Sequence, residues 1–598
     1  MPTLESLARN RAALTAALFL LCCAAYASSY LNDFTYDDEP VIVLNPDVEN
    51  PDLVTIFLDR PFNYRLDYRP LTRLVWALSF RRVNGVADPR PFHVAHLILH
   101  ATVAVLLFAF LARLGPGRAW AWWSAALFGV HPVYSEAVFN ASYLGDTLVA
   151  AGGLSAMILL DRVVRSGDAG ASWRGLAAMG CAAALFAALL SKETAIYLLP
   201  ALACQLWWNG GLPYGAALGE RLRQVRRTWL TVAFWLLVTG LFLAMMHTAT
   251  GRLMREQQPK KADVPTIGTS LPVRLYSAAG VTARYARLLV WPVGLSPDYS
   301  IPAVLPETSP WSPRVLVGAG LLAALAGGAI AVARRRRDNG PLLLLALFAF
   351  PYFLTSNIAF PTFAMAERYL YLPSLGLIPL VLLIASPLVR YARLRPRSAA
   401  FLGAALLAVI ASTTFRRGFD WFDNYYLFGA TVARGQASAK AEHNFALACR
   451  NRLALDRAIE HASRALALRP DYRDAATLRA STYELLGKSA EALADYDRII
   501  ELGGDHRALS NRGRLRLAKG DASGAEKDFT EALRRSPDYV FALLNRAYLY
   551  QQTGELGRAR ADAARAVEVA EATGDKMLEQ ARTLLASLTQ GERDLQPE

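Results

Sequence analysis

Eleven apolar stretches limit what this chain can fold into. They lie near 12–31, 91–112, 119–134, 143–160, 175–190, 194–209, 229–248, 314–333, 341–358, 369–389 and 399–415. A helix that spans a bilayer needs about 20 apolar residues, and in lipid only helices and closed barrels satisfy their own backbones. The stretches therefore predict an all-α, polytopic membrane bundle of about eleven transmembrane helices. The arginines agree with that count. Arg9 and Arg11 precede the first stretch. With eleven crossings, Arg113, Arg118, Arg162, Arg165, Arg174, Arg221, Arg223, Arg226, Arg227, the run 334–337, Arg390, Arg393, Arg395 and Arg397 all fall on that same side. The positive-inside rule makes this side the cytoplasm.

Residues 275–293 tempt a twelfth crossing. Arg284 and Arg287 break the stretch and Trp291-Pro292 ends it, so it reads as an amphipathic or re-entrant helix on the outer face. Residues 1–28 have the outline of a signal peptide, but ten further apolar stretches favour an uncleaved first helix. Two long outer loops follow from this topology, 32–90 and 249–313, and the second reads as a mobile lid or a pair of surface helices.

Charge separates the chain into two parts. From Gln436 onward there are 25 Lys+Arg and 25 Asp+Glu, against 64 and 50 in the whole chain, so the entire +14 resides in the first 435 residues. A neutral soluble part argues against nucleic-acid binding. The five cysteines have no zinc or disulfide spacing.

The neutral part is a repeat array. Ala446, Ala480, Gly513 and Ala547 recur at spacings of 34, 33 and 34, and Ala458, Ala492, Ala525 and Ala559 recur in phase with them. Tyr496 and Phe529 stand four residues after their alanines, and Pro470 and Pro537 twelve after theirs. Small residues at this period mark tetratricopeptide repeats, paired helices that cross closely and stack into an α-solenoid. The expected domains are 1–430, membrane-embedded, and 436–598, a tetratricopeptide-repeat α-solenoid.

Polar residues gather on the expected outer side. Asp37 and Asp38 follow the first apolar stretch, flanked by Phe34, Tyr36 and the run 41–44. Carboxylates beside a membrane helix are costly and point to function. One can serve as general base while its neighbour orients a ligand; the bland alternative is a capped surface loop. Arg69, Lys192 and Arg368 are suited to phosphate, arginine through its forked donors. His93, His96 and His100 share one helix face; hydrogen bonding to neighbouring helices is a simpler reading than a metal site. His131, Glu136, Asp146, Glu193 and Glu367 complete the candidates.

In order along the chain, Phe34-Thr-Tyr-Asp-Asp-Glu39, Asn45-Pro-Asp-Val48, Tyr68-Arg-Pro-Leu-Thr72, Phe92-His93 through His100, and His131-Pro through Glu136-Ala-Val138 form a recognisable series. Lys192-Glu193, Ser356-Asn357 through Phe360-Pro361, and Ala366-Glu-Arg-Tyr-Leu-Tyr-Leu-Pro-Ser374 extend it. With the repeat tail, this series resembles the transmembrane and tetratricopeptide-repeat O-mannosyltransferases, relatives of the protein O-mannosyltransferases in the C-type glycosyltransferase superfamily. Two departures stand out: Leu144-Gly145-Asp146 where Arg-Ala-Asp is expected, and a short repeat array. The resemblance implies a polyprenyl-phosphate sugar donor, no nucleotide, an acidic pair at Asp37 and Asp38, and repeats on the side of the active site that engage an acceptor protein or peptide. The Ala/Arg-rich sequence reads as bacterial, an inner-membrane protein with its active site and repeats in the periplasm; in a eukaryote these would face the lumen of the endoplasmic reticulum.

The mechanism expected is a single inverting displacement. An acceptor hydroxyl loses its proton to Asp37 or Asp38, and Arg69 with Arg368 or Lys192 steadies the leaving phosphate. No cofactor is expected. Three rivals stand beside it: a related enzyme with a divalent metal on the aspartates and histidines, a non-catalytic repeat scaffold or flippase-like carrier, and a transferase or ligase directed to polysaccharide or lipid.

Overall fold

The structure, a computed structural model, describes residues 10–58, 67–165, 171–209, 215–250, 270–300, 304–356, 358, 365–391, 395–435, 438–504, 506–573 and 575–593. Residues 251–269 of the expected lid, and Asn357 with 359–364 of the motif near Phe360, lie outside them. Two compact units divide the chain at Gln436, Met1–Gln436 and Ala437–Glu598.

In the first unit every expected apolar stretch is helical: α1 Arg11–Tyr26, α2 Pro70–Ser79 in the first loop, α3 Arg90–Leu111, α4 Arg118–Val130, α5 Leu144–Arg165, α6 Ala171–Ser191, α7 Leu198–Asn209, α8 Trp229–Thr250, α9 Leu271–Val290, α10 Pro313–Arg336, α11 Gly340–Thr355, α12 Ser374–Tyr391, α13 Pro396–Asp420 and α14 Asn424–Ala433. Among the described residues seven helical segments are long and apolar enough to cross a membrane: Arg11–Leu31, Arg90–Leu111, Ala141–Arg165, Arg174–Ser191, Trp229–Thr250, Pro313–Arg336 and Arg397–Asp420. Seven of the eleven expected stretches are thus single helices of spanning length, and the other four are shorter. The cause is helix breaking. His131-Pro132 stops α4 at 13 residues, a 3-10 turn Glu193–Tyr197 leaves α7 with 12, and α11 and α12 are the other two short apolar helices. At 1.5 Å per residue, 13 residues reach only about 20 Å.

Local chemistry explains the helix ends that matter. Asn10 caps α1 by accepting from the amides of Ala12 and Ala13. Pro70 starts α2, where its missing N–H costs nothing. Helix α9 buries Ser277, Ala278, Val281, Tyr285 and Leu288 on one stripe and carries Arg274, Arg284 and Arg287, an amphipathic helix absent from the seven. The first outer loop contains a hairpin, Arg82–Val83 paired antiparallel with Val86–Ala87. Asn84 and Gly85 form its turn, both at positive φ, as the twist of a two-residue hairpin requires.

The second unit stacks four helix pairs: α15 Ala439–Asn451 with α16 Leu455–Leu468, α17 Arg473–Leu485 with α18 Ser489–Glu501, α19 His506–Ala518 with α20 Ala522–Arg535, and α21 Val540–Gln552 with α22 Leu556–Thr573. A final helix, α23 Leu578–Arg593, follows. Both small-residue ladders flank the helix crossings; the seven alanines are fully buried, and a methyl group at Gly513 would press on Phe529. A second ladder runs through the array. Arg479, Arg512 and Arg546 each fork onto an aspartate of their own pair, Asp495, Asp528 and Asp562, at 2.6–2.9 Å. Each also reaches back to the preceding pair, to Ser463, Asp497 and Thr530. The first pair lacks this device: Phe445 meets His461 edge-on at 4.6 Å, and His461 bonds Glu442.

Candidate functional site

The Asp37–Asp38 loop is gripped from two sides. On one side is the turn Asn140–Tyr143 that opens α5. Asn140 Nδ2 donates to Thr35 O at 3.0 Å, and the Ser142 amide donates to Asp38 Oδ1 at 2.7 Å. On the other side is the segment after α13. The Asp33 amide donates to Phe422 O at 2.8 Å, and the Tyr36 amide donates to Asn424 Oδ1 at 2.8 Å.

The two aspartates are given different jobs. Asp38 is fully buried, and its second oxygen accepts from the Thr35 amide at 3.0 Å. Burial pushes its carboxyl up to about 7 despite those amides. A buried group holding two backbone donors is the internal cap of the loop. Asp37 is half-buried, and its Oδ2 accepts from the Tyr143 hydroxyl at 2.9 Å. The Arg368 guanidinium lies over the Tyr143 ring, 4.4 Å from its centre, and 5.1 Å from the centre of Tyr369. Arg368 pairs through its amide and its guanidinium with the buried Glu136. Asp37, Tyr143, Arg368 and Glu136 thus form one cluster, built from three segments: the first loop, the connection between α4 and α5, and the turn before α12.

Arg69, Glu193, Lys192 and Asp146 form a second. Arg69 forks onto Glu193 at 2.9 and 2.8 Å and stands 3.4 Å from Asp67. The Arg69 guanidinium holds the Glu193 carboxyl well below the usual carboxylate range. Lys192 Nζ donates to both oxygens of Asp146 at 2.8 Å. The departure at Gly145 now has a reason. A methyl group there would stand 3.1 Å from Ser191 O and 3.3 Å from Thr72 Oγ1, so glycine lets the start of α5 close on the Lys192 turn. Asp146 and Tyr143 sit one turn apart at the start of α5, which brings the two clusters to the same helix end.

The remaining candidates support the frame. Glu367 is fully buried; its Oε1 accepts from the Ser296 amide and from the Tyr299 hydroxyl at 2.6 Å, and burial pushes it up to about 8. His100 bonds the Tyr371 hydroxyl and Gly129 O through its two ring nitrogens. His131 donates to Leu289 O and accepts from the Val133 amide. His93 and His96 are buried with no ring hydrogen bond of ordinary geometry. Among the described residues no three His, Cys, Asp or Glu side chains are placed to share a metal ion.

Sequence reasoning passed over Tyr143, Asn140, Ser142 and Asn424. The signal was present: a polar run Asn140-Ala-Ser-Tyr143 between two apolar stretches, and Asp423-Asn424 ahead of another. Both are helix-start signatures.

Fold and site define a class: a polytopic helical membrane unit with an acid–tyrosine–arginine cluster, continued by a tetratricopeptide array. No family model matches the chain. Curated relatives do, and they are the transmembrane and tetratricopeptide-repeat protein O-mannosyl-transferases that the motifs resemble. The chain is 28% identical over 444 residues to protein O-mannosyl-transferase F38B6.6 of Caenorhabditis elegans, covering 71% of this chain and 58% of the relative. It is 26% identical over 494 residues to protein O-mannosyl-transferase TMTC3 of Mus musculus, covering 79% and 53%. The chain spans a little over half the length of these relatives. A solved structure, apo ArnT from Cupriavidus metallidurans, is similar at 15% identity with a TM-score of 0.38, over 81% of this chain and 80% of that one.

Proposed function

We propose that the chain is a membrane glycosyltransferase that moves mannose or a similar sugar from a polyprenyl-phosphate carrier to a hydroxyl of an acceptor protein, on the outer face of the membrane. The observation that carries this reading is the half-buried Asp37 carboxylate, bonded to Tyr143 under the Arg368 guanidinium. Asp37 is the base; Asp38 holds the loop. The acceptor hydroxyl gives its proton to Asp37 as its oxygen forms a bond to the anomeric carbon. The carbon–oxygen bond to phosphate breaks on the opposite face, and the electron pair leaves with the lipid phosphate. Configuration inverts in that single displacement. Tyr143 keeps the carboxylate oriented, and Arg368 meets the charge that develops on the phosphate. Arg69 and Lys192, oriented by Glu193 and Asp146, bind the donor phosphate before the reaction.

The relatives' name supports sugar transfer to protein, and the repeat array supports a protein or peptide acceptor. The test is transfer of radiolabelled sugar from polyprenyl-phosphate mannose to protein in membranes that contain the full chain. Transfer by the parent that Asp37→Asn abolishes supports the reading; an inactive parent, or an Asp37→Asn protein as active as the parent, refutes it.

A further inference from the structure

Tyr36, the residue before the proposed base, has φ +56°. This is left-handed backbone, which a bulky aromatic residue adopts only when its surroundings hold it there. Three of the contacts that hold it come from one segment. The Asn424 side chain accepts the Tyr36 amide at 2.8 Å, the Phe428 ring meets the Tyr36 ring at 5.7 Å, and Phe422 O takes the Asp33 amide. Asn424 is itself fixed. It is the first residue of α14, whose N-terminus Asp423 caps by accepting from the amides of Tyr425 and Tyr426 at 2.7 and 3.0 Å. The far side of the loop is anchored at Thr35 and Asp38 by Asn140 and Ser142, so Tyr36 and Asp37 are the span between two anchors.

We infer that Asn424 is a positioning residue for the transfer reaction: it locks Tyr36 in left-handed backbone and thereby aims the Asp37 carboxylate at Tyr143 and the acceptor. This rests on Asp37 being the base. Without the Asn424 acceptor the Tyr36 amide loses that hydrogen bond, and the left-handed conformation loses one of its holds against ordinary negative φ. Rotation toward negative φ turns the Tyr36–Asp37 peptide and swings Asp37 away from Tyr143. Phosphate contacts at Arg69 and Lys192 lie on other segments and are untouched. A base misplaced by about 1 Å costs on the order of 100-fold in rate without weakening donor binding.

The experiment compares the full chain with Asn424→Ala and with Asn424→Asp, which keeps the accepting oxygen. Three quantities are read: kcat and KM for polyprenyl-phosphate mannose, the melting temperature, and amide hydrogen exchange over residues 33–38. For Asn424→Ala the expected result is a kcat lower by about 10-fold or more, a donor KM within about 2-fold of the parent, an unchanged melting temperature and faster exchange at Tyr36. Asn424→Asp should recover most of the kcat and the protection. Parental kcat and exchange in Asn424→Ala overturn the inference. So does a fall in kcat accompanied by a matching rise in KM, a lower melting temperature and no rescue by aspartate, which is the signature of a merely structural contact. If the parent itself transfers no sugar, the transferase reading is lost, and a positioning role in transfer is lost with it; exchange at Tyr36 then reports only whether Asn424 holds the loop.

Discussion

Two adjacent aspartates differ in chemistry because one is enclosed and the other is not. Asp38 accepts two backbone amides in full burial, whereas Asp37 accepts a phenol hydroxyl at the edge of solvent. Asp37→Asn is therefore expected to keep its membrane level and melting temperature and to lose transfer by at least about 100-fold, measured in purified membranes. Asp38→Asn trades one accepting oxygen for a donor facing an amide and should lose stability, by about 1–3 kcal/mol for a buried unsatisfied group. A thermal shift assay at constant detergent checks it. The titrations give a second expectation. The folded pKa values of Asp38 and Glu367, about 7 and about 8, lie above their ordinary values of 3.8 and 4.5, so the folded state holds these protons more tightly than the unfolded one. Their contribution to stability is present at low pH and is lost as pH rises from about 4 to about 8. Glu367→Gln, permanently neutral, should show a smaller fall in melting temperature across that window than the parent. An identical slope would mean that Glu367 is ionised in the folded protein throughout. The acidic pair was legible in the sequence because it stands among aromatic residues beside an apolar stretch. Which acid is enclosed was not legible, since that depends on an amide 104 positions away in the chain, at Ser142.

At the level of elements, period carried well and interruption poorly. The small-residue ladders at 33 and 34 located all four helix pairs, because close crossing leaves room for little beyond a methyl group. The same period places Arg479, Arg512 and Arg546 in register, a pattern that gains meaning only once their aspartates appear sixteen residues on, in the partner helix. Each guanidinium joins its own pair to the one before it. Arg512→Ala should lower the melting temperature of the repeat unit by more than Arg534→Ala, which removes an exposed pair with Glu531 within one helix. The expected cost is about 1–3 kcal/mol for the half-enclosed fork, and the solvent-screened exposed pair should cost less. Equal melting temperatures would reduce the ladder to decoration. In the membrane unit, hydropathy found the long apolar helices but missed where helices break. His131-Pro132 and the turn at Glu193 were placed inside or beside continuous spans, although both are where site residues stand. The extent of α13 was also missed: it runs to Asp420, so Arg417 lies within the helix, buried against Asp420.

At the level of the molecule, helix length and charge give different crossing counts, and the burial of the breaks reconciles them. If only the seven long segments crossed, Arg162, Arg165 and Arg174 would face away from Arg9 and Arg11, against the positive-inside rule. Counting α4 with the turns that follow it restores them to the same side. Irregular backbone at membrane depth is tolerated where protein covers it, and residues 128–142 are buried throughout. We therefore expect α4, α7, α11 and α12 to complete crossings as broken helices, giving eleven in all and putting Ala437 onward on the side opposite the N-terminus. A reporter that is active only outside the cytoplasm, fused after Gln436, should be active; the same reporter inserted at residue 168, between α5 and α6, should be silent. A cytoplasm-specific reporter should give the reverse pattern. An active external reporter at residue 168 would mean that α4 does not cross, and the arginines after α5 would then need an explanation other than topology. A silent one after Gln436 would put the repeats on the cytoplasmic side, where a site loaded from the outer face has no use for an acceptor held by them.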